Sequence, residues 1–271
     1  MKRSMRLAIL TTDTPHHRFF LREVDRRLSQ DIEIVLNLFE GKPYPWRRRA
    51  ARHFRRSLPN LWRAMVMNPY LQSSRFAARQ FSWEEAHFFP TGDRSLPPDM
   101  PTHTVHSVND GQAERLLHEA APDLLFVYGT GLVESHVFDK PALGAVNAHG
   151  GLLPEYRGLD TNLWAALDGR PEDMAVTLHR VDADYDTGAI YMQRRLGRIA
   201  GLNLLNLRFH TTLIVTEMAV DLLRRMAAGS ATTQPQDSPG RYYGPMPLWL
   251  RRRADRVIRD YAAVLPEAIA A

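Results

Sequence analysis

Short apolar runs alternate with helix-spaced apolar positions along most of this chain. Arg6-Leu7-Ala8-Ile9-Leu10 is a strand-length run, and Phe19, Phe20, Val24 and Leu28 then recur at the spacing that lines one face of a helix. Ile32-Glu33-Ile34-Val35-Leu36 supplies a second strand. The pattern resumes with a strand at Thr104–Val108, a helix from Gly111 to Ala120, and a strand at Asp123–Tyr128 closed by Gly129-Thr130-Gly131. Further strands are expected at Gly144–Asn147, Ala175–Val181 and 189–199. Helices are expected at Leu159–Leu167 and over 202–228, the latter through Leu205, Phe209, Leu213, Ala219 and Leu223. Helical patterns set between short apolar runs are the signature of βαβ units, so the fold expected is α/β with a mostly parallel sheet. Glycines at the end of a central strand let backbone approach a ligand there.

Two stretches break the pattern. Between about 41 and 101 it gives way to Arg-rich and aromatic segments divided by prolines, which reads as a partly helical insertion ending in a loop. From Ser230 to Pro239 the composition is that of a Ser/Thr/Gln/Pro linker, followed by a short, basic, helical tail. The organisation expected is therefore an α/β domain over 1–229 and a linker plus tail over 230–271.

The 271 residues, 44% hydrophobic, suffice for one large core. The chain has no cysteine, which excludes disulfides, thiolate nucleophiles and Cys-based zinc sites. Leu7–Leu10 is too short for a signal-peptide core, and no run reaches the roughly 18 apolar residues of a membrane span, so a cytoplasmic location is the expectation. The formal charge of +5 is concentrated in two arginine clusters, Trp46–Arg56 and Trp249–Arg259. Each can form an amphipathic basic helix. A solvated helix face explains such clusters most simply; peripheral membrane contact or RNA-phosphate contact is the sharper alternative. The helix at 202–228 and the aromatic residues Trp62, Tyr70, Phe76, Phe81 and Trp83 serve either core packing or a homodimer face.

The chemistry concentrates between Val146 and Gln193. Asn147 and His149 lie in N-A-H-G-G-L-L-P-E-Y-R-G, and Asp186 lies in V-D-A-D-Y-D-T-G. An amide N–H can stabilise an oxyanion, an imidazole can move a proton near neutral pH, and a carboxylate can orient that imidazole. Positions 147 and 149 project to the same side of an extended segment. Singly, each residue has an ordinary explanation as a turn or core group; it is their conjunction that points to acyl transfer. Gly150-Gly151 leaves room for a ligand, Leu152-Leu153-Pro154 anchors a turn, and Arg157-Gly158 sets a cation beside the site. His16-His17 at a helix start reads as a cap or substrate rim, and no His or carboxylate spacing calls for a metal.

At these residues the chain resembles the folate-dependent formyltransferase family, whose signature is Asn-x-His-x-x-Leu-Leu-Pro with a following Arg/Lys-Gly and a distant Asp-x-Gly. Asn147, His149, Leu152, Leu153, Pro154, Arg157, Gly158, Asp186 and Gly188 stand in that register, and His179 falls where members often carry a histidine. The resemblance extends over roughly 120–200 and the α/β core, without the insertion and tail. It implies a Rossmann-like twisted sheet and 10-formyltetrahydrofolate as co-substrate, with no metal. Asn147, His149 and Asp186 inherit the catalytic roles. Gly131, Leu132 and Val133, with Asp182, Asp184 and Tyr185 of the 181–186 loop, are expected to hold the folate, and Phe138 to wall its pocket. Thr12, His16, Arg157 and His179 are expected on the substrate side.

The resemblance also orders the acceptors. The segment Thr11–Arg18 has no glycine, which argues against the ribotide phosphate loop of glycinamide ribonucleotide formyltransferases. The reading favoured is N-formylation of a primary amine on a nucleotide-linked amino sugar or similar small molecule, with the arginines of the insertion clamping a pyrophosphate. A methionyl-tRNA formyltransferase-like enzyme comes second, because linker and tail together make only about 40 residues where those enzymes carry a β-barrel. A donor hydrolase and a non-catalytic folate- or RNA-binding relative complete the set.

Overall fold

Period-two alternation sorts the side chains of the first strands onto the two faces of one sheet. In β1 (Met5–Thr11) and β4 (Leu124–Val127), Leu7, Ile9, Leu124 and Phe126 enter one buried cluster while Ala8, Leu10, Leu125 and Val127 enter another. The computed structural model describes residues 4–28, 32–41 and 69–264, with the backbone alone for 69–74. The arginine cluster at 46–56 and Trp62 lie outside these residues.

Seven strands form the sheet in the order β3-β2-β1-β4-β5-β7-β8, where β2 is Ile32–Glu40, β3 Thr102–Val105, β5 Ala145–His149, β7 Ala175–Arg180 and β8 Ile190–Arg195. The first five run parallel; β7 and β8 are antiparallel to their neighbours. This is the Rossmann-like, mostly parallel arrangement expected. Helices α1 (Pro15–Leu28) and α6 (Leu207–Ala228) cover one face, and α3 (Gly111–Ala120) covers the other. Asp110 caps α3 by accepting from the Gln112 and Ala113 N–H groups. In the insertion, α2 (Pro69–Phe88) is the described helix, followed by the expected loop. Its Trp83 stacks on His87 and meets Phe209 edge-on, and the Arg208 guanidinium lies over Phe81, which fastens α2 to α6.

Several boundaries shift, among them the second strand, which runs on to Glu40, and β8, which ends at Arg195; two shifts have a visible cause. The strand read at 104–108 occupies Thr102–Val105, because its register is set by pairing Asn37 with Thr102. The helix read from 202 starts at Leu207, since the side chains of Asn203, Asn206 and Asp255 bind the backbone of 203–205 in turns instead. Its buried face is also broader than the one proposed, with Ala219 and Leu223 inside but Leu205, Phe209 and Leu213 only half-buried.

Residues 230–263 pack on the same core. β6 (Tyr156–Gly158) pairs in parallel with β9 (Arg241–Tyr243), and α7 (Leu248–Ala263) lies against α5 (Thr161–Leu167). Tyr243, Met246, Ala254, Ile258 and Ala262 join the large buried cluster. Replacing the fully buried Ile258 by alanine is expected to cost about 2–5 kcal/mol and to preserve one cooperative denaturation transition. A separate early transition for the C-terminal segment, seen by tryptophan fluorescence against circular dichroism, would show that it melts independently.

Candidate active site

The strand order reverses between β1 and β4, and a cavity opens beside that point, at the carboxyl ends of β4 and β5. Its volume is about 650 Å³. Antiparallel pairing of β5 with β7 sets Asn147 directly opposite His179. Residues opposite one another share a face of the sheet, and with His149 two places on, three side chains converge there.

Hydrogen bonds fix the state of each. Nδ1 of His179 lies 2.8 Å from the Arg180 carbonyl oxygen, which can only accept, so Nδ1 carries the proton and Nε2 accepts from Asn147 Nδ2 at 3.0 Å. That pairing turns the NH2 end of the Asn147 amide toward the carboxylate of Asp186, 3.4 Å away. Nε2 of His149 donates to the Tyr156 carbonyl at 2.8 Å, which leaves Nδ1 as its basic nitrogen, 3.4 Å from Asp186 Oδ1. His179 Nε2 is also 3.4 Å from the same oxygen. Asp186 Oδ2 accepts from the Gly158 N–H at 2.9 Å.

Burial governs the titration. It lowers the pKa of His149, and the Asp186 carboxylate offsets that in part. Burial alone would raise the Asp186 carboxyl. The neighbouring imidazoles of His149 and His179 and the Gly158 N–H overturn this and hold it well below the usual carboxylate range. The site at neutral pH is therefore an ionised carboxylate facing a neutral imidazole with a free Nδ1. Gly151 is what admits that ring: a Cβ there would sit 2.7 Å from His149 Nε2. The room at Gly151 thus serves the histidine, while Gly150 lines the cavity.

Asn147, His149, Asp186, Gly131, Leu132, Val133, Asp182, Asp184, Tyr185 and His179 all line this cavity. Four other expected positions lie outside its lining. Thr12 and His16 do not line it: Thr12 Oγ1 bonds His17 Nδ1 at 2.8 Å, and His16 is buried 3.5 Å from Glu84 and 3.0 Å from Thr14 Oγ1. Burial is also what keeps the pKa of His16 and His17 well below the ordinary histidine value. Phe138 ends the one-turn helix α4 (Ser135–Phe138) with its ring among Val133 and Val137, and lines a separate smaller cavity with Lys140 and Arg180. Arg157 lies on the rim rather than in the lining, its Nη1 donating to the Tyr185 carbonyl.

The same cavity is lined by further residues that the sequence did not assign to the site: Phe76 and Gln80 of α2, Tyr128, Arg208, Tyr242 and Arg251. Arg208 is held bidentately by the fully buried Glu84, while Arg251 donates one N–H to Asp160 and another to the Met246 carbonyl. Two second-layer residues fix the glycine loop: Glu40 accepts from the Gly131 N–H at 2.8 Å, and Asn109 donates to the Leu132 carbonyl at 2.6 Å. The cluster Trp249–Arg259 held Arg251, and Phe76 stood among the insertion's aromatic residues, but neither was assigned to the site. Among the described residues no cluster of metal-ligating side chains occurs, and no helix is long and apolar enough to cross a membrane.

Fold and site together define a Rossmann-like α/β protein with an amide, two imidazoles and a carboxylate gathered at the carboxyl edge of its sheet. Residues 90–206 match the family model described as formyl transferase. The methionyl-tRNA formyltransferase of Chlorobium chlorochromatii is 33% identical over 148 residues, 55% of this chain and 47% of that protein. The chain spans about half the length of the curated relatives it matches. Two solved structures share the fold. A 4-N formyltransferase from Francisella tularensis superposes with a TM-score of 0.58 at 13% identity, covering 98% of this chain and 91% of that one. A phosphoribosylglycinamide formyltransferase from Anaplasma phagocytophilum does so with 0.54 at 15%, covering 89% and 99%. Over residues 90–206 the chain is thus similar to formyltransferases, and its fold is the one those two structures share.

The coupling of His149 to Asp186 has a measurable sign. Asp186→Asn removes the charge that raises His149, so the imidazole titration, followed by NMR, is expected to move to lower pH. Asp186 itself contributes stability that is present above its ordinary value of 3.8 and lost as pH falls through its lower folded value. The asparagine variant should accordingly lose stability less steeply on acidification than the parent.

Proposed function

We propose that the protein is an N-formyltransferase that moves a formyl group from 10-formyltetrahydrofolate to a primary amine. The observation that carries this is the convergence of Asn147, His149 and Asp186 on one cavity, with the Asn147 amide oriented by His179. The chemistry of the lining suits a folate at one end: Val133 and Val181 offer apolar walls, and the carboxylates of Asp182 and Asp184 offer acceptors for pteridine amino and ring N–H groups. Bound there, the co-substrate supplies the formyl carbon that the amine attacks.

The residues divide the remaining work. One hydrogen of the Asn147 amide is committed to His179 Nε2; the other, with only a 3.4 Å contact, is free to meet the oxygen on which negative charge develops. His149 Nδ1 takes the proton released by the attacking amine and returns it to the folate nitrogen as the carbon–nitrogen bond breaks. Asp186 stabilises the imidazolium in between, through the same Nδ1–Oδ1 contact. The products are the formamide and tetrahydrofolate.

The acceptor favoured is a small polar amine such as a nucleotide-linked amino sugar. The far end of the cavity offers the Tyr128 hydroxyl, the Gln80 amide and the guanidinium groups of Arg208 and Arg251, which suit hydroxyl and phosphate groups. A second reading, an aminoacyl-tRNA acceptor, is favoured by one surface. Trp249, Arg252, Arg253 and Arg256 are exposed at helical spacing along α7, and the curated relatives are methionyl-tRNA formyltransferases. A homodimer, peripheral membrane contact and a cytoplasmic location are part of the same proposal, compatible with the absence of a membrane-length apolar helix among the described residues.

Incubation with 10-formyltetrahydrofolate and a panel of amino-sugar nucleotides and methionyl-tRNA should release tetrahydrofolate and add one formyl group to one acceptor. Asn147→Ala is expected to lower that rate by about 100 to 1,000-fold with the fold retained. Donor consumed equally without any acceptor would mean hydrolysis, and binding without turnover would mean a non-catalytic relative.

A further inference from the structure

Between α6 and β9 the chain runs along the outside of the molecule, and every residue from 232 to 240 is exposed except Gln236. Its side chain turns inward. The amide Nε2 donates to the carbonyl oxygens of Asp186 at 3.0 Å and of Gly188 at 2.8 Å. Both hydrogens of one terminal amide are thus spent on the backbone either side of Thr187.

That backbone needs outside support. Asp186 has a φ of 55°, the left-handed region that a non-glycine residue enters only when its surroundings hold it there. Gly188 lies so close to the Arg180 carbonyl that a Cβ would fall 1.8 Å from its oxygen. The Gly158 N–H fixes the Asp186 side chain but leaves its main chain unsupported. The reach of Gln236 is also set locally: two residues earlier, Gln234 exchanges both backbone hydrogen bonds with Ile190, at 2.7 and 2.8 Å. A segment of linker composition is therefore pinned at one residue and inserts another beneath the carboxylate-bearing turn.

We infer that Gln236 is a positioning residue for Asp186, holding the turn that keeps the carboxylate within reach of His149 and Asn147. Gln236 touches neither cavity nor reacting atoms, so it acts only through Asp186. The inference rests on the formyl-transfer reading for its kinetic consequence alone; its structural consequence is read without turnover.

Two variants test it. Gln236→Leu removes both donors, and Gln236→Glu keeps the shape while replacing donors by acceptors. The first readout is the NMR titration of the His149 imidazole, assigned by comparison with His149→Gln. The charged or titratable groups facing that ring are Asp186 and His179, and only Asp186 sits on the turn that Gln236 holds. In both variants the midpoint is expected to fall toward that of Asp186→Asn, with near-ultraviolet circular dichroism unchanged. A wild-type midpoint in both overturns the inference. The second readout is kinetic: kcat should fall by about 10 to 100-fold, as small misplacements of catalytic groups do, with KM for donor and acceptor within about twofold. A raised KM at unchanged kcat would make Gln236 a substrate-side residue and overturn the inference as well. A wild-type protein that transfers no formyl group would overturn the functional reading, and the titration would still decide the role of Gln236.

Discussion

A carboxylate taken out of water has to find its polar partners within the protein, and Asp186 finds them on three strands. Its Oδ1 meets Asn147 and His149 from β5 and His179 from β7; its Oδ2 meets the Gly158 N–H of β6. Desolvation of an unpaired carboxylate would cost several kcal/mol, enough to consume much of a domain's net stability. The register of β5 on β7, the placement of β6 and the fold of the 181–188 loop are therefore coupled through one charge. The same charge sets the proton affinity of His149, so the fold and the chemistry draw on a single electrostatic arrangement.

The antiparallel run of β7 makes this arrangement demanding. Arg180 ends the strand level with Val146, and the Val181 N–H bonds the Ala145 carbonyl, so the chain leaves β7 pointing away from the carboxyl end of β5. It must fold back along the strand to return Asp186 to the level of Asn147. The left-handed conformation of Asp186 and the tight seat of Gly188 are the cost of that reversal, about 1–2 kcal/mol for the non-glycine residue. The hydrogen bonds of Asp186, side chain and main chain, offset it.

Much of this was legible in the sequence because its signals are periodic or local. Leu7 to Leu10 alternate between two buried clusters as a doubly covered strand should, and Asn147, His149 and Asp186 keep a spacing that survives the fold. What was not legible depends on pairings that leave no period. Strands of three residues, such as β6 and β9, are too short to alternate detectably. Thr12 and His16 are polar residues just past the carboxyl end of β1, where ligands commonly bind, but Tyr128 and Glu84 of α2 meet His16, and the bonds of both close on His17, Thr14 and Glu84. Gln236 sat in a composition that reads as linker, and only its inward rotamer distinguishes it. Arg208 and Arg251 carry no motif; their place in the cavity follows from Glu84 and Asp160, each far away along the chain.

The parallel pairing of β6 with β9 carries one more consequence, for the order in which the molecule comes into being. The Gly158 segment that holds Asp186 is itself held by residues made much later: the Leu159 N–H donates to the Tyr243 carbonyl, and the Met246 N–H to Asp160 across 86 residues. During synthesis the seven-stranded sheet can close while β9 is still inside the ribosome, because all its strands precede Leu196. Contacts of such sequence separation form late in folding. The Gly158 N–H that holds Asp186 thus belongs to a strand whose partner is among the last-made parts of the described chain.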